Sequence, residues 1–177
     1  MVHFPPADRP SPPLALVRKP PFPLDLVAGA PTVFLAGSIE MGSASDWQSE
    51  VTASIADLDV IVLNPRRDEW DASWEQSAES PMFYEQVSWE LEGQERATLV
   101  AMYFDPSTKA PITLLELGLF ARSKRLVVCC PEGYFRKGNV DVVCARYGVP
   151  QVTTLAGLVV AIREHVCAYT TTTFGPR

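Results

Sequence analysis

Long apolar runs are missing from this sequence. No stretch approaches the roughly 18 to 20 consecutive apolar residues that a membrane-spanning helix needs, and the Pro-studded start lacks the apolar core of a secretory signal. The expected compartment is the cytoplasm, with no membrane partner. An excess of basic residues is missing too: 15 Lys and Arg stand against 21 Asp and Glu, a net charge of -6. With a sequence pI of about 4.9, a nucleic-acid backbone is an unsuitable main partner, and a small uncharged or cationic ligand fits better. Cysteine and histidine are scarce and badly spaced for metals. Cys129, Cys130, Cys144 and Cys167 form no CxxC or Cys/His pattern, so buried reduced thiols are expected, with the neighbours Cys129 and Cys130 on opposite faces of one strand. His3 and His165 have no catalytic neighbourhood in sequence, and His165 reads as a surface or cap residue near a helix end. No metal and no cofactor is expected.

Proline is distributed unevenly. Residues 1–31 hold nine of the sixteen prolines, which rules out helix or the interior of a paired strand there, so this segment is expected to be an extended arm. Its interleaved Phe4, Leu14, Leu16, Val17, Phe22, Leu24 and Leu26 suit it to lie across a domain or a partner subunit. From Thr32 onward short apolar runs alternate with helical segments. Strands are expected at 33–36, 60–63, 99–104, 126–130 and near 151–152, with helices over 44–57, 81–95, 112–122, 139–147 and 154–167. Buried strands alternating with helices imply a flavodoxin-like α/β three-layer sandwich with a five-stranded, mostly parallel sheet. The domain is expected to span 32–168, followed by a C-terminal tail at 169–177. Ligands of such sheets collect beyond the carboxyl ends of the strands, near the point where strand order reverses.

The loops there carry unusual residues. Glu116 is an acid within the apolar turn Ile112, Leu114, Leu115, Leu117, Leu119 and Phe120, and a buried carboxylate generally has a partner or a function. Asp105 follows the third strand and faces the same cleft. On the preceding helix Glu90 and Gln86, one turn apart, form a polar pair that can look into the pocket. The segment Asn64–Trp74 offers Trp70 and Trp74 to stack on a planar base, with Asn64 and Asp71 to read its edge and Arg66 and Arg67 keeping phosphate possible. Gly37 and Ser38 open a turn like those that cradle phosphates, but Glu40 within it disfavours an anion.

Taken in order, Phe34-Leu35-Ala36-Gly37-Ser38-Ile39, Asn64-Pro65-Arg66-Arg67, Gln86-Val87-Ser88-Trp89-Glu90-Leu91, Asp105, Glu116-Leu117-Gly118 and Arg136-Lys137-Gly138-Asn139-Val140-Asp141 resemble the nucleoside 2-deoxyribosyltransferase-like family. The resemblance implies Glu116 as nucleophile, Asp105 against base or sugar, Glu90 as the acid that handles the base proton, and Trp89 at the substrate. It also implies a homo-oligomer in which Asn139 acts in a partner's site. The implied substrates are a nucleoside or nucleotide and a free nucleobase. The implied reaction passes the sugar through a covalent glycosyl-Glu intermediate to another base or to water. The alternatives are an N-glycoside hydrolase acting on a nucleotide or NAD, and a binding domain without turnover. Where relatives carry a Tyr whose hydroxyl holds the catalytic Glu, this chain has Phe34, and Tyr84 or Tyr103 is the expected replacement.

Overall fold

The computed structural model describes residues 14–39, 44–69, 71 and 73–174. Strands β1 (Leu16–Arg18), β2 (Thr32–Gly37), β3 (Ile61–Leu63), β4 (Leu99–Tyr103), β5 (Leu126–Cys129) and β6 (Gln151–Val152) alternate with helices α1 (Trp47–Ser54), α2 (Pro81–Arg96), α3 (Pro111–Phe120), α4 (Lys137–Tyr147) and α5 (Leu155–Phe174). The strands form one six-stranded sheet in the order β1-β3-β2-β4-β5-β6, and every ladder in it is parallel. Without β1 this is the flavodoxin-like order expected from the sequence. Proline at the first position starts α2 and α3, where a missing N–H costs nothing, and Gly148 in the left-handed region (φ 67°) ends α4.

The alternation of side chains along the central strands divides the core in two. Phe34, Ala36, Val100, Met102, Val128 and Cys130 face α2, α3 and α4, whereas Val33, Leu35, Ala101, Tyr103, Val127 and Cys129 face α1 and α5. Cys129 and Cys130 thus point to opposite faces, as their adjacency requires. Cys144 is buried as well, but Cys167 is exposed on α5, contrary to the expectation for all four thiols. His165 is half-buried and stacks on Tyr169 at 6.3 Å between ring centroids, so it is less a surface residue than expected.

Two boundaries differ from the sequence reading. Within the Pro-rich arm, Leu16–Arg18 pairs in parallel with Ile61–Leu63 as a sixth, edge strand, inside the proline-free stretch 14–19. Beyond it Leu24 enters the core beside α2, and the Phe22 carbonyl accepts a hydrogen bond from Trp89 Nε1 at 2.9 Å. Residues 14–31 therefore belong to the packed unit and do not merely lie across it. At the other end α5 continues to Phe174, through most of the expected tail, with Thr170, Thr171 and Thr172 hydroxyls donating to carbonyls one turn back. No helix among the described residues is long and apolar enough to cross a membrane.

Two close approaches fix the sheet's active end. Gly37 has φ 148°, and a Cβ there would lie 2.3 Å from the Tyr103 carbonyl oxygen, so only glycine lets β2 leave the sheet beside β4. On α2 a Cβ at Gly93 would meet the Phe34 ring at 2.8 Å, and that ring is completely enclosed. Gly93 is what allows the helix to seat against β2.

Gly93→Ala should destabilise the chain despite alanine's better helix propensity. The propensity gain is about 1 kcal/mol, whereas forcing a methyl into a closed core costs about 1–3 kcal/mol, so urea melts should show a lower midpoint. Leu24→Ala should lower stability by about 2–4 kcal/mol, because Leu24 is 5% exposed. A midpoint within error of wild type for Leu24→Ala would return the arm to the surface.

Candidate functional site

The strand order reverses between β2 and β4, and beyond their carboxyl ends lie Gly37, Ser38, Phe104 and Asp105. Here the loop backbones are knitted by side chains. Ser38 Oγ accepts from the Asp105 N–H at 3.1 Å and from Thr108 Oγ1 at 2.8 Å, while the Ser38 N–H donates to the Tyr103 carbonyl and its own carbonyl accepts from Trp47 Nε1. Asp105, 7% exposed, accepts from Ser107 N at 2.9 Å, from Ser107 Oγ at 2.7 Å and from Ser45 Oγ at 3.0 Å. Burial raises its pKa, but these hydrogen bonds outweigh burial and hold the carboxyl below its ordinary range. Asp105 is an ionised, fixed acceptor at the strand tips.

A second group of acids lies between α2 and α3. On α2 the residues Gln86, Glu90 and Gln94 follow one another at four-residue spacing along one helix face. Gln86 Nε2 donates to the Pro65 carbonyl at 2.9 Å and to Glu90 Oε1 at 2.7 Å, which ties this row to the loop after β3. Gln94 Nε2 donates to Glu116 Oε1 on α3 at 2.5 Å. Burial pushes the Glu116 carboxyl up to about 8, with the charge of Glu90 adding to the rise and the Gln94 hydrogen bond opposing it. Burial likewise pushes Glu90 up to about 7, against the Gln86 hydrogen bond. Both carboxyls therefore stay protonated into the neutral range, and the charge of Glu90, the first of the two to ionise, holds back the ionisation of Glu116.

Among the residues expected at the site, Gln86, Glu90 and Glu116 are therefore brought together, and Gly37, Ser38 and Asp105 form a neighbouring cluster. Asn64 is buried at the end of β3, where its Oδ1 accepts from the Arg66 N–H and holds the turn. Arg66 reaches the Ser45 carbonyl at 3.2 Å and Asp46 at 3.5 Å, at the edge of the Asp105 cluster. Arg67 is bonded to Glu85 at 3.1 Å and lies over the ring of Trp74 at 5.0 Å. One face of Trp74 is thus covered by a cation, which leaves a base at most the other. Trp70 lies outside the described residues, as does Glu40. Asp71 is exposed and caps the Ser73 N–H. Asn139 is exposed in the first turn of α4.

Two expectations fail. Trp89 does not face a ligand: its indole is 7% exposed, packs in the core 6.0 Å from Phe34 and spends its N–H on Phe22. The turn of about 100° from Glu90 sets it in line with Gly93, four residues on, against Phe34. Nor does Tyr84 or Tyr103 take over a hydroxyl role toward Glu116. Tyr84 is 63% exposed, and Tyr103 lies on the opposite face of the sheet against Trp47, 5.3 Å between centroids. The partner of Glu116 is Gln94, which the sequence reading missed, although the four-residue spacing of Gln86, Glu90 and Gln94 along α2 was a signal for it. Among the described residues no group of three or more His, Cys, Asp or Glu is arranged to hold a metal ion.

Comparison with known proteins agrees with this architecture. The fold is similar to that of a conserved protein from Enterococcus faecalis V583, with a TM-score of 0.56 at 12% identity, over 76% of this chain and 98% of that one. No curated protein sequence matches the chain. The family model for nucleoside 2-deoxyribosyltransferase-like proteins matches residues 30–134, from the start of β2 through the loop after β5. That span takes in Gly37, Gln86, Glu90, Asp105 and Glu116 and covers more than half of the sequence, so the chain belongs to the nucleoside 2-deoxyribosyltransferase-like family.

Proposed function

We propose that this protein cleaves the N-glycosidic bond of a nucleoside or deoxynucleoside and passes the sugar to another base or to water, with Glu116 as nucleophile and Glu90 as acid and base. The observation that carries this reading is Glu116, buried on α3 and bonded to Gln94, with the half-buried Glu90 of α2 bearing on it, both carboxyls being pushed up to about 8 and about 7 so that the pair carries a single proton near the upper end of neutrality, mainly on Glu116. Such a pair contains what the reaction needs: one carboxylate to bond to the anomeric carbon and one carboxylic acid to protonate the leaving base.

In the first step a Glu116 carboxylate oxygen bonds to C1′ as the C1′–N bond breaks. The electron pair leaves with the base nitrogen, which takes the proton of Glu90. In the second step an acceptor nitrogen or water attacks C1′, Glu90 receives its proton, and Glu116 departs as a carboxylate. Two displacements give net retention. Asp105, held ionised by Ser45 and Ser107, is suited to accept hydrogen bonds from sugar hydroxyls or from a base edge. The same order of elements supports an uncharged substrate over a phosphorylated one, because Arg66 is bonded by Asp46 and Arg67 by Glu85. A binding domain without turnover would have no use for a buried acid pair, whose desolvation is costly.

Incubation with a panel of nucleosides and nucleotides, with and without a free base, should release or exchange base from an unphosphorylated nucleoside. If chromatography shows every nucleoside intact, the reading fails. Glu116→Ala should lose several orders of magnitude in rate while keeping its far-UV circular dichroism. For the wild type, kcat/KM should fall on both sides of a maximum between about pH 7 and about pH 8. The reactive form, with Glu116 ionised and Glu90 protonated, is the minor of the two single-proton forms and its share peaks in that window: below it both carboxyls are protonated, and above it both are ionised.

The same pair predicts a stability effect. Glu116 has its folded pKa raised from the ordinary 4.5 to about 8, so the folded chain binds more protons than the unfolded one over that interval and loses stability as pH rises through it. Glu116→Gln removes that loss. Its Tm should exceed that of the wild type by several degrees above pH 8 and by nothing near pH 4, measured by thermal melts across the range.

A further inference from the structure

Gln94 is completely enclosed, one turn beyond Glu90 on α2. Its Nε2 donates to Glu116, and its Oε1 has no partner among the described residues. A side chain so enclosed does not touch a substrate. A buried carbonyl without a donor is also costly, so if Gln94 only filled space an apolar residue of its size would serve better. What an amide has, and an apolar residue lacks, is a donor and an acceptor that exchange places by a half-turn of the side chain. Turned one way it gives an N–H to a carboxylate; turned the other it receives the O–H of a carboxylic acid.

We propose that Gln94 is the positioning residue of Glu116: its NH2 holds the carboxylate in the line of attack, its carbonyl receives the protonated carboxyl, and the exchange sets how Glu90 and Glu116 divide their one proton. The surroundings leave this role to the amide. Phe34, packed against Gly93 on the sheet side, offers no polar atom. Arg125 from β5's start reaches only backbone carbonyls, that of Gln94 at 3.4 Å and that of Ala97. Among the described residues Glu90 is the one charged group that bears on Glu116, and it is itself held by Gln86. Removing the Gln94 donor should therefore move the proton further toward Glu116 and widen the gap to Glu90, already the more readily ionised member. The kinetic part of this inference rests on Glu116 being the nucleophile, whereas the division of the proton belongs to the resting protein.

The test is a carbon-detected NMR titration of the glutamate carboxyls in the full chain, comparing wild type with Gln94→Met. In the variant the Glu116 transition should move up by about one pH unit and that of Glu90 should move down. An unchanged Glu116 transition overturns the proposal. Gln94→Asn, whose amide stops a methylene short, should shift Glu116 in the same direction. In the unmutated protein the side-chain amide resonances of Gln94 should follow the Glu116 transition, and an amide blind to it overturns the proposal without recourse to a variant. On a nucleoside that the wild type cleaves, Gln94→Met should lower kcat about ten- to a hundredfold with KM changed by less than about twofold, and an unchanged kcat would overturn the positioning role. If the wild type cleaves no nucleoside while the titrations move as expected, the proposed function fails and the assignment of Gln94 stands. If it cleaves and Gln94→Met titrates as wild type, the assignment of Gln94 alone fails.

Discussion

A carboxyl withdrawn from water, with a second one bearing on it, resists ionisation, and this constraint on Glu116 and Glu90 shapes one side of the molecule. It explains why amides accompany the acids: Gln86 beside Glu90 and Gln94 beside Glu116 stabilise a charge without introducing a cation that would quench it. Had Arg or Lys stood at either position, each carboxyl would ionise near its ordinary value and the shared proton would be gone. It also explains why α2 must sit so near the sheet. The row 86, 90 and 94 reaches α3 only because Gly93 gives no side chain to the β2 side, where the Phe34 ring takes the space.

The two acidic centres are kept apart in character by their surroundings. Asp105 receives three hydrogen bonds from serines at the strand tips and stays ionised, whereas Glu90 and Glu116 each receive one from an amide and ionise only at about 7 and about 8. Identical functional groups thus become a fixed anion and a proton reservoir, one made by loop backbone and hydroxyls, the other by apolar enclosure. The arginines after β3 are absorbed into this frame. Arg66 braces the Asp46 cap of α1 against the loop, and Arg67 joins α2 to the loop that carries Trp74, so their charges serve the scaffold.

Much of this was legible in the sequence, for physical reasons that differ by element. The central strands are short, wholly apolar runs such as Leu99–Tyr103, and prolines at 81 and 111 mark helix starts unambiguously, so order and layers follow. Glu116 stood out because its neighbours on the helix are apolar. β1 was hidden because a three-residue strand in a six-residue stretch between prolines carries no readable periodicity, and its pairing depends on the backbone of β3, not on its own side chains. Trp89 misled because an aromatic next to a candidate acid reads as a ligand platform, whereas helical geometry turns adjacent residues about 100° apart. Gln94 had only its four-residue spacing from Glu90 to mark it, because an uncharged polar residue in a helix ordinarily faces water, and the packing of α2 against α3 shows that this one does not.

The distribution of the thiols has a practical meaning for chemical labelling. Burial pushes Cys129 up to about 12 and Cys130 and Cys144 up to about 11, so their thiolate fractions at neutral pH are negligible and the sheet and helices close them off. Cys167 is exposed on α5, and α5 covers the face of the sheet opposite to the acid pair. A maleimide fluorophore or spin label added to the native chain therefore attaches at one position, with the whole thickness of the sheet between the probe and Glu116. The protein comes with its own handle for following motion of the face that holds Glu90 and Glu116 without touching it.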